Sequence, residues 1–278
     1  LLNGGTYDVH NPEFLTGANI SVTITNEFMH AVENDLDFEL RFPDIGNYTP
    51  EEMKIYNEKW HKVGDVREWE KMGYRVCTYR TIKARELWSL INICATYAAE
   101  PGIFFIDNAN EMTNAKAYGQ KVVATNPCGE QPLAPYSVCN LAAVNLAKFA
   151  NKDTKTVDLE ALRETVKVGV RMQDNVIDAT PYFLQANKKQ ALGERRVGLG
   201  VMGLADLLIY CEKEYGSEEG NKLVDEVFKT IAVAAYEESI ELGKERGSFP
   251  FLQGTNDEET KRLRVAFTNT GFMKKMPE

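Results

Sequence analysis

The sequence predicts an α/β fold in which short, mainly parallel strands alternate with helices. Short β-type runs are followed by stretches whose apolar residues recur at helical spacing, and this alternation repeats along the chain. The 278 residues are 44% hydrophobic and 26% charged, which is typical of a globular protein. No internal repeat and no long Pro/Gly/Ser linker interrupts them, so we expect residues 1–278 to form one continuous unit.

The first predicted elements are a strand, a helix and a second strand. Residues 20–24 form a β-type run, and Thr25 directly after them is a helix-capping residue. The helix that Thr25 begins would bury a face made by three residues: Phe28, Met29 and Val32. Residues 37–42 predict the next strand, which Pro43 ends because proline has no backbone N–H to donate.

A polar excursion and a helix–strand pair follow. The polar residues 44–71 predict a helical excursion at the surface, with Trp60 and Trp69 as its apolar anchors. Residues 83–99 carry apolar side chains at helical spacing, and a Pro-Gly pair ends that helix. Residues 103–106 then predict a buried strand.

The second half of the chain continues the alternation. Residues 121–125 predict a short strand that leads into a loop. Asp158 would cap a long helix with an apolar face made by Leu159, Leu162, Val166, Val170 and Ile177. Residues 201–210 predict a short apolar helix, and residues 223–242 predict a longer one.

Composition and charge exclude several classes of protein. The net charge of −9 argues against binding to a nucleic-acid backbone, because such binding needs a basic surface. The apolar runs are far shorter than the ~20 residues of a membrane-spanning helix, and no signal peptide is recognisable, so we expect a cytoplasmic protein. The five cysteines form no CxxC pair, which argues against a secreted disulfide framework. The three histidines are scattered and give no support for a metal site.

The segment with the clearest chemical character is TNPCGEQPL at residues 125–133. Asn126, Cys128 and Glu130 alternate along it, so in an extended loop they would point to one side and offer an amide, a sulfur and a carboxylate to one substrate. The neighbouring Pro and Gly exclude regular secondary structure, which places Cys128 on a loop. A second cysteine, Cys139, follows eleven positions later.

Taken alone, these residue types leave three chemistries open. The cysteine could be a nucleophile for acyl transfer, a redox thiol or the carrier of a radical. A cysteine hydrolase would need a histidine to take the thiol proton, and the nearest one, His61, lies far upstream in a segment without active-site character. This argues against the hydrolase interpretation and leaves the other two open.

A resemblance to a known protein family distinguishes between the remaining chemistries. The run NPCGEQPL at residues 126–133, followed by SVCNL at 137–141, resembles the finger loop of ribonucleotide reductase catalytic subunits. Four more segments are similar to that family, in its order: LTGANISV at 15–22, AEPGI at 99–103, RRVGLGVMGLAD at 195–206 and ERGSFP at 245–250. The resemblance implies part of a ten-stranded α/β barrel, built from two five-stranded parallel halves around a central finger loop. This chain would supply the middle, without the family's N-terminal and C-terminal parts.

The resemblance also implies roles for four residues. Cys128 would carry the thiyl radical that takes hydrogen from C3′ of the ribose, Glu130 would accept the 3′-hydroxyl proton, and Asn126 would hold the ribose hydroxyls. Cys139 would be one of the two thiols that reduce the substrate, and its partner would lie upstream of Leu1. A radical needs protection from side reactions, so we expect a water-poor pocket around Cys128.

The source of the radical divides the family. The eleven-residue gap between the two cysteines and the Gln-Pro-Leu after Glu130 resemble the adenosylcobalamin-dependent class. One alternative takes the radical from a metallocofactor subunit, and another is a non-catalytic or split-enzyme barrel fragment. The implied partners are a ribonucleotide substrate, dNTP or ATP effectors near residues 3–16, a thioredoxin-like or dithiol reductant, the missing segments of the enzyme and a second copy in a homodimer. No metal ligand, nucleic acid or membrane is expected.

Overall fold

The computed structural model describes residues 18–271 and 273–275, which have a mixed α/β fold. The chain divides into two compact units: Leu1–Pro135 with Val265–Glu278, and Tyr136–Arg264. Residues 3–16, to which effectors were assigned, lie outside the described residues. The described strands pair two by two, and two of the five pairs are parallel. The expectation of mainly parallel strands is therefore wrong for these residues, because the other three pairs are antiparallel.

The described part of the first unit contains six strands and five complete α-helices. The strands are β1 (Ser21–Ile24), β2 (Asp37–Pro43), β3 (Val76–Lys83), β4 (Gly102–Phe105), β5 (Ala124–Thr125) and β6 (Pro132–Leu133). The helices are α1 (Asn26–Glu33), α2 (Pro50–Val63), α3 (Val66–Lys71), α4 (Ala84–Ala98) and α5 (Ile106–Met112). Strand β1 pairs in parallel with β4, whereas β2–β3 and β5–β6 are antiparallel.

Local signals explain the start of this unit. The hydroxyl of Thr25 accepts a hydrogen bond from the backbone N–H of Phe28 at 3.1 Å, which confirms Thr25 as the cap of α1. The buried face of α1 packs with residues of β1 and α4 in one apolar cluster: Ile24, Phe28, Ala31, Val32, Ala84 and Ile91. Burial of such side chains is the main favourable term in folding.

The polar excursion is helical, as its sequence predicts. Helix α2 begins with a capping box in which Thr49 and Glu52 satisfy each other's backbone N–H groups. The left-handed Gly64 ends α2 before α3. The Trp69 ring is completely buried and packs against Trp60 at 5.5 Å and Tyr74 at 4.3 Å between ring centroids, so aromatic contacts hold the two helices together.

The second unit is built around one parallel strand pair and long helices. Its strands are β7 (Asn140–Asn145), β8 (Ala150–Asn151), β9 (Thr156–Val157) and β10 (Val197–Met202), with β7 parallel to β10 and β8 antiparallel to β9. Its helices are α6 (Leu159–Ala179), α7 (Gln185–Glu194), α8 (Leu204–Tyr210) and α9 (Glu218–Arg246). Helix α10 (Asp257–Thr268) contains the second boundary between the units. The apolar core joins α6, α8 and α9 to β7: Val144, Leu146, Leu162, Val166, Leu207, Val227, Ile231 and Ala234.

Two boundaries in the sequence interpretation need correction. The helix expected at residues 201–210 begins at Leu204, because residues 201 and 202 complete β10 and Gly203 then turns the chain with a φ of +73°. The strand expected at residues 121–125 is confined to Ala124 and Thr125, because the side chain of Asn110, and not a neighbouring strand, binds the backbone of Val122.

Candidate active site

The candidate site is the turn that joins β5 to β6 in the first unit. The backbone N–H of Asn126 donates to the carbonyl of Gln131 at 3.2 Å, and the N–H of Gly129 donates to the carbonyl of Asn126 at 3.0 Å. Gly129 has a φ of +86°, a conformation that glycine adopts without steric cost. The segment is therefore a tight turn, not the extended tip that the alternation of residues predicts.

The side-chain amide of Asn126 organises this turn. Its oxygen accepts a hydrogen bond from the backbone N–H of Gln131 at 2.9 Å. Its nitrogen donates to the Oε1 atom of Glu130 at 2.5 Å. Asn126 thus uses both ends of its amide within the turn and orients the carboxylate of Glu130, which lies near the surface.

The sulfur of Cys128 points to a different partner. The Nδ2 atom of Asn19, just before β1, lies 3.7 Å from the Cys128 sulfur, within range of a weak N–H···S hydrogen bond. The structure thus brings Asn126 and Glu130 together and places Cys128 beside Asn19. Cys128 is exposed in this chain, not enclosed in a water-poor pocket as expected, because the turn projects and a side chain at Gly129 would have no neighbour within 4 Å.

Side chains of α5 and of Asp65, the residue before α3, hold the segment that enters the turn. The amide of Asn110 forms two hydrogen bonds of 2.9 Å with the backbone of Val122, donating to its carbonyl and accepting from its N–H. The ammonium group of Lys121 donates to Asp65 at 2.9 Å. A Cβ at Gly64 would lie 3.0 Å from the Val123 side chain, which shows how closely α2 ends against this segment.

Asp65 is the centre of a chain of ion pairs. Its carboxylate accepts hydrogen bonds from Lys121 and Arg67, and Arg67 donates also to Asp107 at 2.8 Å. Burial alone would raise the pKa of Asp65, but the hydrogen bonds from Arg67 and Lys121 outweigh it and hold that pKa well below its ordinary value. The hydrogen bond from Arg67 likewise lowers the pKa of Asp107. Both carboxylates are therefore charged at neutral pH.

Cys139 lies in the second unit, directly before β7. It is half-buried, and its sulfur is 3.6 Å from the backbone carbonyl of Asn140. Two residues earlier, the hydroxyl of Ser137 donates to the buried carboxylate of Glu194 at 2.9 Å. Gln190 donates to the same carboxylate oxygen at 2.8 Å, so the segment that carries Cys139 is fixed to α7.

Two of the three remaining cysteines are shielded from solvent. Cys94 and Cys211 are buried, as expected for small apolar residues on helices, and burial raises the pKa of the Cys211 thiol. None of the five cysteines forms a disulfide with another. Across residues 18–271 and 273–275 no three His, Cys, Asp or Glu side chains group to hold a metal ion. No helix within that range is long and apolar enough to span a membrane.

Three residues around the site escaped the sequence interpretation. Asn19 lies within the family-like run at residues 15–22, which is a usable signal, although no role was assigned to it. Asn110 and Asp65 carry no local signal, because each acts on a segment that is distant along the chain.

Comparison with known proteins decides the family. A family model described as "Ribonucleotide reductase, barrel domain" matches residues 8–275. The chain belongs to this family. This agrees with the resemblance of the run at residues 126–133 to the finger loop of ribonucleotide reductase catalytic subunits.

Individual ribonucleotide reductases are similar along most of this chain. It is 36% identical over 257 residues to the vitamin B12-dependent ribonucleoside-diphosphate reductase of Thermoplasma acidophilum, covering 92% of this chain and 29% of that protein. The corresponding enzyme of Mycobacterium tuberculosis is 33% identical over 245 residues, covering 88% and 31%. The ribonucleoside-diphosphate reductase large chain of Cryptosporidium parvum is 33% identical over 236 residues, covering 82% and 28%. The chain thus spans about three-tenths of the length of these relatives.

Proposed function

We propose that this chain is the central catalytic segment of a cytoplasmic ribonucleotide reductase, which converts ribonucleotides to deoxyribonucleotides by thiyl-radical chemistry. The observation that carries the proposal is the β5–β6 turn, where Asn126 donates to Glu130 and an exposed thiol, Cys128, stands between them in the sequence. A tight turn can present an amide, a carboxylate and a thiol to one ribose, and such fixed geometry is worth orders of magnitude in rate.

Each residue of the turn has one task in this proposal. The Cys128 thiyl takes the hydrogen atom from C3′ of the ribose and returns it at the end of the cycle. Glu130 accepts the proton of the 3′-hydroxyl as general base, since a carboxylate is acceptor-only when ionised. Asn126 holds Glu130 at 2.5 Å with one N–H of its amide and offers the other N–H to the ribose hydroxyls.

The reduction itself needs two thiols. The 2′-hydroxyl leaves as water and is replaced by hydrogen, while two thiols together lose two protons and two electrons and close to a disulfide. Cys139 supplies one thiol from the start of β7. The second would come from a segment N-terminal to Leu1, as the family resemblance implies, and a thioredoxin-like or dithiol reductant would reopen the disulfide.

Adenosylcobalamin fits as the radical source. Two of the relatives reported above are named vitamin B12-dependent. The structure offers an exposed Cys128 thiol, and the space beside Gly129 is open, so a large cofactor can approach the sulfur. When bound, the cofactor supplies the radical that Cys128 receives. The first alternative is a metallocofactor subunit as the source, which the name "large chain" of the Cryptosporidium relative supports.

The complete enzyme would form the ten-stranded barrel with the Cys128 turn as its central finger loop. We propose a homodimer that responds to dNTP or ATP effectors. We also propose that it reduces ribonucleoside diphosphates, since the relatives carry that substrate in their names. A further alternative is a barrel fragment without activity of its own.

The test is deoxyribonucleotide formation by the protein from its complete gene. CDP and CTP are supplied with dithiothreitol, with and without adenosylcobalamin, and Cys128→Ser is the control. Product from CDP that needs both the cofactor and Cys128 supports the proposal. If product appears only when a metal-loaded partner subunit is added, that subunit and not adenosylcobalamin is the radical source. If no product forms under either condition, the result favours the inactive fragment.

A further inference from the structure

Helix α9 is apolar on two opposite sides. Its inner face lies against α6 and is buried through four apolar residues: Val227, Ile231, Ala234 and Leu242. Its outer face, on the other side of the helix at 3.6 residues per turn, carries four large apolar side chains that are between 40% and 59% exposed: Phe228, Val233, Tyr236 and Ile240. A helix that is apolar all round is typical of the interior of a protein, so the outer face of α9 requires a cover.

The charged residues of α9 are distributed in the same unusual way. Glu237 pairs with Arg163, and Glu238 pairs with Arg171 at 2.7 Å, both arginines being on α6. Between residues 230 and 243 of this helix, the outer face carries no charged side chain. A helix at the surface of a globular protein has the reverse arrangement, with its charges turned away from the element that it packs against.

The outer face is continuous along the helix. Phe228, Ala232, Tyr236 and Ile240 follow one another at intervals of four residues, which places them in one row. At the end of this row, a Cβ at Gly243 would meet no atom within 4 Å, so another backbone can approach α9 closely there. Apolar side chains that are exposed singly are ordinary, whereas a continuous row marks an interaction surface.

A cavity of about 670 Å³ adjoins the C-terminal end of the row, where Ile240 and Gly243 form part of its wall. Four basic side chains and two acidic ones also line it: Arg195, Lys244, Arg246, Arg264, Asp174 and Asp178. The cavity therefore has an excess of positive charge, although the chain as a whole has a net charge of −9. Such a local excess favours an acidic group in whatever occupies the cavity.

We propose that the outer face of α9 and this cavity dock an apolar segment of the same polypeptide, from outside residues 1–278, whose acidic side chains enter the cavity. This rests on the proposal that the chain is the middle of a longer enzyme. The chain spans 29% of the Thermoplasma relative, so most of such a polypeptide lies outside it. A tethered segment has an effective concentration on the order of millimolar, which a second copy in dilute solution does not reach.

The first experiment identifies the occupant by photo-cross-linking of the full-length protein, read by peptide mass spectrometry. The photoreactive p-benzoylphenylalanine replaces Tyr236 in one variant and Ile240 in another, and we expect links to a peptide outside residues 1–278. A mixture of isotope-labelled and unlabelled protein identifies links between copies, because these combine both labels. The same substitution at Tyr215, which is 72% exposed just before α9, is the control and should give no link.

Two results of this experiment overturn the proposal. One is a link from either position to a second copy or to another part of residues 1–278, and the other is the absence of any link from both positions. Neither measurement depends on turnover. Deoxyribonucleotide formation by the unsubstituted protein therefore tests the proposed reaction separately from the docking.

The second experiment tests the acidic character of the docked segment. Lys244→Glu should raise the rate at which iodoacetamide alkylates Tyr236→Cys by about two- to fivefold, because like charges at the cavity open the docked segment more often. A direct effect of the new charge on the thiol would act in the opposite direction, since it disfavours the thiolate. Lys222→Glu is the matched control, because Lys222 and Lys244 both form exposed ion pairs within α9. Equal rates in the two charge reversals overturn the acidic partner.

Discussion

Asn126 and Glu130 face each other across the turn that carries Cys128, with the amide nitrogen 2.5 Å from a carboxylate oxygen. The contact closes a turn whose backbone is held by two further hydrogen bonds. A carboxylate fixed in this way needs no reorganisation before it accepts a proton, and such preorganisation is an important source of catalytic rate.

The first prediction concerns Glu130. Glu130→Gln keeps the shape and can still accept a hydrogen bond from Asn126, but it removes the general base. We expect kcat for deoxyribonucleotide formation to fall by about 10²–10⁴-fold with little change in KM. Steady-state kinetics of the full-length enzyme measure both constants. Glu58→Gln, at an exposed position of α2, is the control, and a loss below threefold in Glu130→Gln would contradict the assigned role.

Asn19 should tune the reactivity of Cys128. Its amide lies 3.7 Å from the sulfur and stabilises the thiolate more than the thiol, because it donates an N–H. Asn19→Ala should therefore slow alkylation of Cys128 at pH 7.5 by about two- to fivefold, the equivalent of one weak hydrogen bond. Peptide mass spectrometry measures the rate, with Cys139 in the same sample as reference. An equal or faster rate at Cys128 would show that the contact has no electrostatic effect.

Much of the fold could be predicted because its signals are local. Thr25 and Asp158 both accept hydrogen bonds from the first turn of the helix that they precede, as capping residues do. The apolar face predicted for α6 is buried at Leu162, Val166, Val170 and Ile177. A cap and a periodic apolar face are adjacent in sequence, so their meaning does not depend on the rest of the molecule.

The parts that escaped prediction depend on distant residues or on weak patterning. Strand β3 is mostly exposed along its length, so its sequence shows no alternation between a buried and a solvent face. The pairing of β5 with β6 follows from a turn that Gly129 makes with a positive φ. The contact between Asn19 and Cys128 joins positions that are 109 residues apart, which local periodicity does not encode.

The ion pairs of Asp65 make stability depend on pH in a defined direction. Its side chain is 13% exposed, and its folded pKa lies below the unfolded value of about 3.9. The contribution of Asp65 to stability is therefore fully present above about pH 4–5 and is lost as the pH falls from there toward the folded pKa. Asp65→Asn should lower the free energy of unfolding at pH 7 by about 1–3 kcal/mol, and the difference from wild type should shrink below pH 4.

Urea unfolding of the full-length protein at several pH values measures this difference. Asp153→Asn, at an exposed position between β8 and β9, is the control and should change little at any pH. A difference between Asp65→Asn and wild type that stays constant from pH 7 to pH 3 would mean that packing, and not charge, makes Asp65 stabilising.

Gly203, which separates β10 from α8, should tolerate no side chain. It has a φ of +73°, and a Cβ would lie 2.7 Å from the Oδ1 atom of Asn145 and 3.3 Å from the backbone nitrogen of Ala147. Asn145 Oδ1 accepts the N–H of Ala147, so the clash would also disturb a hydrogen bond. Gly203→Ala combines conformational strain with a steric clash, and we expect a loss of about 2–4 kcal/mol in the free energy of unfolding.

Gly216 separates the two effects, because its φ is +84° and a Cβ there would have no neighbour within 4 Å. Gly216→Ala should cost about 1 kcal/mol, from backbone strain alone. Urea denaturation of the two variants under identical conditions gives the difference, which isolates the steric contact with Asn145. Equal losses in the two variants would show that the β10–α8 junction relaxes to accept a methyl group, and that Gly203 is required only for its conformation.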